Sequence, residues 1–167
     1  MVLAEAEPDD DAALWAIFSA VVESGDGFPH EAPLTAVDFE GTWGAAQRAV
    51  VVARQGGAVV GAYYLRPNFP GRAAHIANAG YMVDAARRRR GIGRALVEDS
   101  MARARGLGFD AMQFNLVFAS NPARQLYESL GFVVTGRVPG AVDGEDALVY
   151  WRPLDDSGLG LDSVHGQ

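Results

Sequence analysis

"ARRRRGIGRALVEDSMARARGLGF", residues 86–109, places four arginines, Arg87–Arg90, directly before the two glycines of Gly91–Gly93. This pattern predicts a turn followed by a helix from about Arg89 to Arg105. Glycines let backbone N–H groups approach a ligand closely, and the start of a helix adds unpaired donors and the positive end of the helix dipole. The stretch therefore indicates an anion site. We expect its backbone donors to dominate, since an exposed arginine paired with an anion contributes only about 0 to 1 kcal/mol.

The charge distribution narrows the class of anion. Residues 87–105 contain seven arginines against Glu98 and Asp99, a local charge of +5, whereas the whole chain carries −7 and the rest therefore −12. An acidic body repels nucleic acid and anionic lipid, which favours a local site for a small polyanion. A module that binds nucleic acid or acidic protein through Arg87–Arg94 remains an alternative.

Two common phosphate motifs do not fit this turn. A Walker loop requires Gly-Lys-Ser/Thr, and the chain contains no lysine. A dinucleotide-binding fingerprint requires a small residue at the position of Leu96 and normally follows the first strand. The remaining interpretation is a pyrophosphate-binding turn of another type.

Composition predicts one soluble domain. With 167 residues, 49% of them hydrophobic, the chain can bury one core, which we assign to residues 1–153. Residues 154–167 lack an apolar period and are expected to form a flexible tail. The chain has no cysteine, and its three histidines are scattered, so no metal site is expected. The acidic start and the short apolar run at 12–22 predict a cytoplasmic protein without a membrane segment.

Hydrophobic periods predict alternating strands and helices, an α/β fold. The predicted strands are residues 2–6, a hairpin within 48–67, 75–84, 110–118, 132–138 and 146–153. The predicted helices begin near Pro8–Asp11, cover 35–43 and 89–105, and run from Asn121 to Gly131.

A second motif follows the arginine turn. "ASNPARQLYESLGF", residues 119–132, has Asn121 at a helix start and a Leu-Gly-Phe sequence leading into a strand. Together with Arg88-x-x-Gly91-x-Gly93, it resembles the acyl-CoA-binding signature of the GCN5-related N-acetyltransferase (GNAT) superfamily. The two motifs and their strands cover residues 48–152.

The resemblance implies a fold and a cofactor site. The fold would be a mixed, mostly antiparallel sheet of about six to seven strands with about four helices, splayed between the strands at 75–84 and 110–118. Acetyl-CoA would lie in that gap and would serve as cosubstrate. The implied cofactor-binding residues are Tyr81, Met82, Val83, Arg88, Arg89, Arg90, Gly91, Ile92, Gly93, Arg94, Asn121 and Tyr127.

The resemblance also implies catalytic roles. Tyr127 would donate a proton to the departing thiolate, and a backbone N–H near Met82 would stabilise the oxyanion. Many relatives carry a glutamate on the strand before the arginine turn, but this strand offers Asn78 instead. The base therefore stays open between water, which we favour, and the side chains of His30, Glu31 and His75.

Two asparagines lie in otherwise apolar strands. With regular alternation, Asn78 shares a face with Met82, and Asn115 shares one with Val117. A buried amide without partners costs about 1 to 3 kcal/mol, so each must be hydrogen-bonded. Either both satisfy irregular backbone at the gap, or they act in catalysis by holding a polar acceptor such as an amino-acid carboxylate.

A closer resemblance concerns the acceptor. "YMVDAARRRRGIGRALVEDS" (81–100), "AMQFNLVFASN" (111–121) and "GRVPGA" (136–141) resemble fungal enzymes that N-acetylate azetidine-2-carboxylate and other proline analogues. We therefore expect a small-molecule amine as substrate, with Phe28 and Trp43 in the pocket wall, and a homodimer by family habit. Protein N-termini, polyamines and antibiotics remain alternative acceptors.

Overall fold

The strands of the protein form one sheet. A computed structural model describes residues 1–155, within which seven strands pair in the order β1-β2-β3-β4-β5-β7-β6. The strands are β1 (Val2–Glu5), β2 (Ala49–Gln55), β3 (Ala58–Pro67), β4 (Ile76–Val83), β5 (Ala111–Phe118), β6 (Val133–Val142) and β7 (Glu145–Pro153). All neighbours are antiparallel except β4 and β5, which are parallel. The predicted mixed, mostly antiparallel sheet is confirmed.

The sheet opens between β4 and β5. These two strands pair only at their first residues, Ile76 with Ala111 and Ala77 with Met112. Beyond this point β4 remains paired with β3 as far as Val83, whereas β5 continues along β7. Because the two strands diverge, the sheet has a wedge-shaped gap at the predicted place.

Within the same described residues, four α-helices cover the two faces of the sheet: α1 (Asp11–Ser24), α2 (Ala36–Trp43), α3 (Ile92–Gly106) and α4 (Ala123–Ser129). The apolar stripe of α1 packs with α2 against one face, where Phe18 is fully buried. The second face packs against α3 and α4 around residues such as Leu96 and Tyr63. Full burial of one large apolar side chain contributes about 1.5 to 3 kcal/mol, so both layers stabilise the open sheet.

The structure corrects two local predictions. α3 begins at Ile92 instead of Arg89, because Arg89 and Gly91 adopt left-handed backbone angles that no α-helix contains. In β5 a bulge between Phe114 and Val117 interrupts the alternation, so Val117 packs in the same cluster as Phe114 and does not share a face with Asn115. The predicted flexible tail, apart from its first two residues, lies outside the described residues.

Candidate active site

The turn before α3 has the shape that the glycine pattern predicts. Asp84 Oδ1 accepts a hydrogen bond from Ala86 N at 3.1 Å and starts a single 3-10 turn at residues 85–87. Arg89 and Gly91 then take φ angles of 63° and 77°. Such angles cost a residue with a Cβ atom roughly 1 kcal/mol, and glycine avoids this cost. The chain thus bends sharply and presents the first turn of α3 at the open side of the sheet.

The arginines of this turn differ in their contacts. Arg88–Arg90 are all exposed, and Arg88 Nη1 forms an ion pair with Asp26 Oδ2 at 3.0 Å, across from the loop that follows α1. Arg94 instead turns toward α4, bonding Glu98 at 3.2 Å and Ser129 Oγ at 2.9 Å. Arg88 is therefore the arginine placed at the gap.

Backbone groups of β4 are open toward the gap. Asp84 N donates to Val60 O at 2.9 Å, which fixes the residues of β4 that face β3. In an antiparallel ladder these residues alternate, so Met82 directs its backbone groups to β3, while Tyr81 and Val83 direct theirs to the gap. The sequence prediction named all three residues. The alternation leaves Tyr81 and Val83 as the two with unpaired backbone N–H and C=O groups.

A cavity of about 290 Å³ lies between β4, α3 and the start of α4, and we call it the gap cavity. The predicted cofactor residues that line it are Tyr81, Met82, Val83, Arg88, Gly93, Asn121 and Tyr127. The other predicted residues, Arg89, Arg90, Gly91, Ile92 and Arg94, lie on the turn and the first turn of α3 outside this lining. The Ile92 side chain is buried in the core, which leaves only its backbone for a ligand.

Tyr127 lies on α4 at the inner end of the gap. Its ring packs against Phe114 and Tyr81, with centroids 4.7 and 6.3 Å away, and only 8% of the residue is exposed. Burial, reinforced by the charge of a neighbouring tyrosine, raises the pKa of Tyr127 above its ordinary value near 10. Within the described residues its hydroxyl has no hydrogen-bond partner. The hydroxyl is therefore a protonated donor available to a ligand.

A second cavity, of about 440 Å³, lies on the α1 and α2 side of the gap, and we call it the loop cavity. Its walls come from residues 27–30, α2, β3, β4 and β5. Of the two residues predicted for the pocket wall, Phe28 lines this cavity and Trp43 does not. Trp43 instead packs against Tyr64, with the two ring centroids 5.6 Å apart. The two cavities share Gly27, Tyr81, Asn121 and Tyr127. A ligand in one cavity would therefore meet a ligand in the other beside these four residues.

Asn78 connects the two strands that border the gap. Its Nδ2 donates to Gln113 O on β5 at 3.0 Å, and its Oδ1 accepts from Tyr64 Oη at 3.3 Å. The carbonyl of Gln113 has lost its ladder partner because β4 and β5 have already diverged. Asn78 thus satisfies irregular backbone, although it also lines the loop cavity.

Asn115 lies at the rim of the loop cavity. It exchanges two hydrogen bonds with Asn68, at 2.6 and 3.0 Å, and its Oδ1 also accepts from Gln113 Nε2 at 3.0 Å. All three amides therefore form one exposed network. Asn68 follows β3, and no short motif in the sequence pointed to it.

Two further residues of the loop cavity were missed by sequence reasoning. Tyr64 lies on β3 directly opposite Gly80 of β4, and its ring occupies the space that a Cβ atom at Gly80 would need, 2.5 Å from Cε1. Arg66, two residues on, shares this face and holds its guanidinium carbon 5.0 Å from the centroid of the Tyr64 ring. Burial raises the pKa of Tyr64, and the charge of Arg66 acts in the opposite direction. In the sequence, the only indication of this pair is an arginine two residues after a tyrosine within a predicted strand.

Of the three side chains considered as bases, only His30 lines the loop cavity. The Thr42 hydroxyl donates its one proton to Asp38 O at 2.8 Å. Its oxygen also lies 3.3 Å from His30 Nε2 and can only accept in that contact, so the imidazole proton lies on Nε2. The lone pair then falls on His30 Nδ1, which is buried without a partner. His30 is therefore poorly placed to take a proton directly. His75 is exposed and bonds Arg72 O at 3.1 Å, and Glu31 is exposed outside both cavities.

Two other structural properties bear on the kind of site. Among residues 1–155, no group of three or more His, Cys, Asp or Glu side chains is arranged to hold a metal ion. In the same part of the chain, no helix has the length and apolar character needed to cross a membrane.

The chain resembles known acetyltransferases in sequence. Residues 13–132 match the acetyltransferase (GNAT) family. Over 99 residues the chain is 39% identical to the N-acetyltransferase aca1 of Schizosaccharomyces pombe, an alignment that covers 55% of this chain and 47% of aca1. The chain therefore matches about half the length of that relative.

Solved structures show the same fold. A GCN5-related N-acetyltransferase from Kribbella flavida superposes with a TM-score of 0.85 at 35% identity, covering 91% of this chain and 96% of that chain. A phosphinothricin acetyltransferase from Sinorhizobium meliloti, solved with AcCoA, has a TM-score of 0.79 at 24% identity and covers 91% of this chain and 87% of its own. The second likeness concerns the fold alone. The sequence match and the first superposition show that this chain belongs to the acetyltransferase (GNAT) family.

Proposed function

We propose that the protein transfers the acetyl group of acetyl-CoA to the amine of a small molecule, by direct attack while both substrates are bound. The observation that carries this proposal is the junction of the gap cavity and the loop cavity at Gly27, Tyr81, Asn121 and Tyr127. An acetyl donor in the first cavity and an amine in the second would meet there. The chain also lacks cysteine, which removes a thiol as covalent carrier of the acetyl group.

The gap cavity fits coenzyme A in three respects. The unpaired C=O of Tyr81 and the unpaired N–H and C=O of Val83 can hydrogen-bond an extended amide chain as a neighbouring strand would. The bend at residues 88–93 presents backbone donors and Arg88 to a diphosphate. Asn121 lies at the inner end, where its own Oδ1 already accepts from Ala123 N at 2.9 Å and its amide nitrogen remains for a ligand.

Bound acetyl-CoA would supply an activated acetyl group and a thiolate as leaving group. The Tyr81 N–H, which faces the gap beside both cavities, is placed to donate to the carbonyl oxygen as negative charge develops there. This assignment specifies the N–H near Met82 that the resemblance implies, because the N–H of Met82 itself faces β3. Tyr127 donates its hydroxyl proton to the departing sulphur. The new N–C bond forms as the C–S bond breaks.

The acceptor amine must lose one proton during the reaction. Because the lone pair of His30 is buried, we propose that the proton leaves through water held by polar groups of the loop cavity, such as Thr42 and Asn78. Water then also returns a proton to Tyr127. No side-chain carboxylate takes part in this route.

The acceptor that we propose is an amino acid or a proline analogue. The likeness to the N-acetyltransferase aca1 and the resemblance to fungal proline-analogue acetyltransferases favour it. A cavity of about 440 Å³ suits a small molecule better than a protein terminus. Binding of nucleic acid is disfavoured because the chain outside residues 87–105 carries a net charge of −12.

The test combines a binding measurement with a transfer assay. Calorimetry at moderate salt should detect saturable binding of acetyl-CoA, and free thiol should be released when small amines, proline analogues among them, are added. Absence of both signals would overturn the proposal. Strongly salt-dependent DNA binding in place of acetyl-CoA binding would support the alternative of a nucleic-acid module.

A further inference from the structure

Arg66 is set apart from the other described arginines by its position beside the loop cavity. It lines the loop cavity and lies exposed at its rim, on the same face of β3 as Tyr64. Within residues 1–155 it forms no ion pair, whereas Arg54, Arg88 and Arg137 each pair with an aspartate. Within the same residues, its guanidinium lies over the ring of Tyr64, 5.0 Å from the ring centroid. The positive charge of Arg66 is thus left for a ligand.

The contact with Tyr64 also orients this charge. The Tyr64 ring is held against Gly80 and meets the edge of Trp43 at 5.6 Å. A guanidinium lying over an aromatic ring keeps its N–H edge free, and that edge matches the two oxygens of a carboxylate. Arg66 is therefore held in position before a ligand arrives, which lowers the entropy lost on binding.

Asn78, Asn115 and Asp38, which also line the loop cavity, already have hydrogen-bond partners. Asn78 bonds Gln113 O and Tyr64 Oη, and Asn115 bonds Asn68 twice. The one carboxylate in the lining, Asp38, accepts two hydrogen bonds from Thr35, which lower its pKa and keep it ionised. Among residues 1–155, Asp38 is thus the only anionic residue that lines the loop cavity.

We propose that Arg66 binds an acid group of the acceptor, so that the substrate is an amine that also carries a carboxylate. This inference rests on the proposed acetyl transfer and deepens it. It assigns recognition of the acid to Arg66 and leaves Asn78 as a bridge across the gap. It also excludes polyamines and aminoglycosides, because these polycations would bring several positive charges to a cavity with one uncommitted cation and one anion.

The test uses acceptors that differ only in the acid group. L-azetidine-2-carboxylate and L-proline are compared with their carboxamides, and spermidine serves as a polycation. The wild-type protein should prefer the acids. Arg66→Gln should lower kcat/KM for the acids by about tenfold, mainly through KM, and change kcat/KM for the carboxamides by less than about twofold. The KM for acetyl-CoA should stay unchanged.

Two variants complete the design. Arg66→Lys keeps the charge but loses the planar fork, so it should restore part of the preference for the acids. Arg72→Gln removes an exposed arginine outside both cavities and should have no effect. Equal losses for acids and carboxamides in Arg66→Gln, or wild-type transfer to spermidine or to the carboxamides as fast as to the acids, would overturn this inference alone. Absence of thiol release with every amine, together with no binding of acetyl-CoA, would overturn the proposed function and this inference with it.

Discussion

The gap cavity and the loop cavity are built from different parts of the chain's chemistry. The gap cavity is bordered by the main chain of Tyr81 and Val83 and by the backbone bend at 88–93. The loop cavity presents side chains from α2 and from β3, β4 and β5, Arg66 among them. Main-chain recognition tolerates many sequences, whereas side-chain recognition depends on each residue. Under the proposed function, the first cavity would therefore serve a common cosubstrate, whereas the second would select the individual acceptor.

The largest expected effect concerns Tyr127, which belongs to both cavities. Tyr127→Phe should lower kcat by about 10²-fold, because a positioned proton donor is lost, while the Kd for acetyl-CoA should change by less than about twofold. Since burial raises the pKa of Tyr127, its contribution should persist through the neutral range and be lost only as the pH rises above about 10.

Steady-state kinetics and calorimetry test this prediction. Tyr63→Phe is the matched control, because Tyr63 donates to Asp99 at 2.5 Å and lines neither cavity. If turnover of Tyr127→Phe equals that of the wild type, Tyr127 is not the proton donor.

The next effect falls on the gap cavity alone. Gly91→Asp adds a negative charge and a left-handed aspartate at the diphosphate bend, and the Kd for acetyl-CoA should rise by more than about tenfold. Gly56→Asp places the same change in the hairpin between β2 and β3, also at a positive φ and with no atom near its Cβ. Calorimetry should show normal affinity for this control. Normal affinity of Gly91→Asp would contradict the diphosphate assignment.

A smaller effect is expected at the loop cavity. Asn78→Ala leaves Gln113 O without its donor across the gap, which should lower the free energy of unfolding by about 1 to 3 kcal/mol. The KM for the acceptor should rise by about two- to fivefold, with that for acetyl-CoA unchanged. Tyr64→Phe removes only the 3.3 Å hydrogen bond from Tyr64 to Asn78. This control distinguishes the contribution of that bond from the contribution of the bond between Asn78 and Gln113 O. A rise in both KM values by the same factor would mean that Asn78 maintains the width of the gap for both substrates.

The smallest effect is a gain in affinity. Asp26 lines the gap cavity and pairs with Arg88, so its negative charge opposes a bound diphosphate. Because the pair is about half exposed, Asp26→Asn should lower the Kd for acetyl-CoA by only about two- to fivefold, and less at high salt. Asp9→Asn, on an exposed residue outside both cavities, should leave the Kd unchanged. Weaker binding by Asp26→Asn would show that Asp26 instead holds Arg88 in place for the ligand.

Most of the fold could be predicted from local patterns. The strand periods and the caps predicted the individual strands and helices, because these depend on neighbouring residues, whereas the arrangement of the sheet and its gap were implied by the resemblance to the GNAT superfamily. The predicted start of α3 at Arg89 was wrong because arginine favours helices, and the sequence does not indicate that Arg89 adopts a positive φ. The bulge in β5 was missed because it arises from pairing with β7, a contact between distant segments.

The sequence also predicted the residues of one cavity better than those of the other. Most of the lining of the gap cavity comes from residues 81–97 and 118–127, the segments that contain the two motifs, and seven of the predicted cofactor residues line it. The loop cavity joins residues that are far apart in the chain, such as His30, Arg66 and Asn115. The hydrophobic periods of the sequence do not indicate that these three side chains lie around one cavity. The position of Arg66 at the cavity could therefore not be predicted, because it depends on the pairing of Tyr64 with Gly80 between β3 and β4.

The alternation of β4 places both halves of the site on one strand. Its odd-numbered residues turn their backbone to the gap, while Asn78 and Gly80, in even positions, face the loop cavity. Insertion of a single residue near Ala79 would exchange these two sets and abolish both functions together. Side chains at the even positions can nevertheless vary without altering the main chain at the odd ones. The geometry of this strand therefore permits substitutions at the even positions but tolerates almost no change in its length.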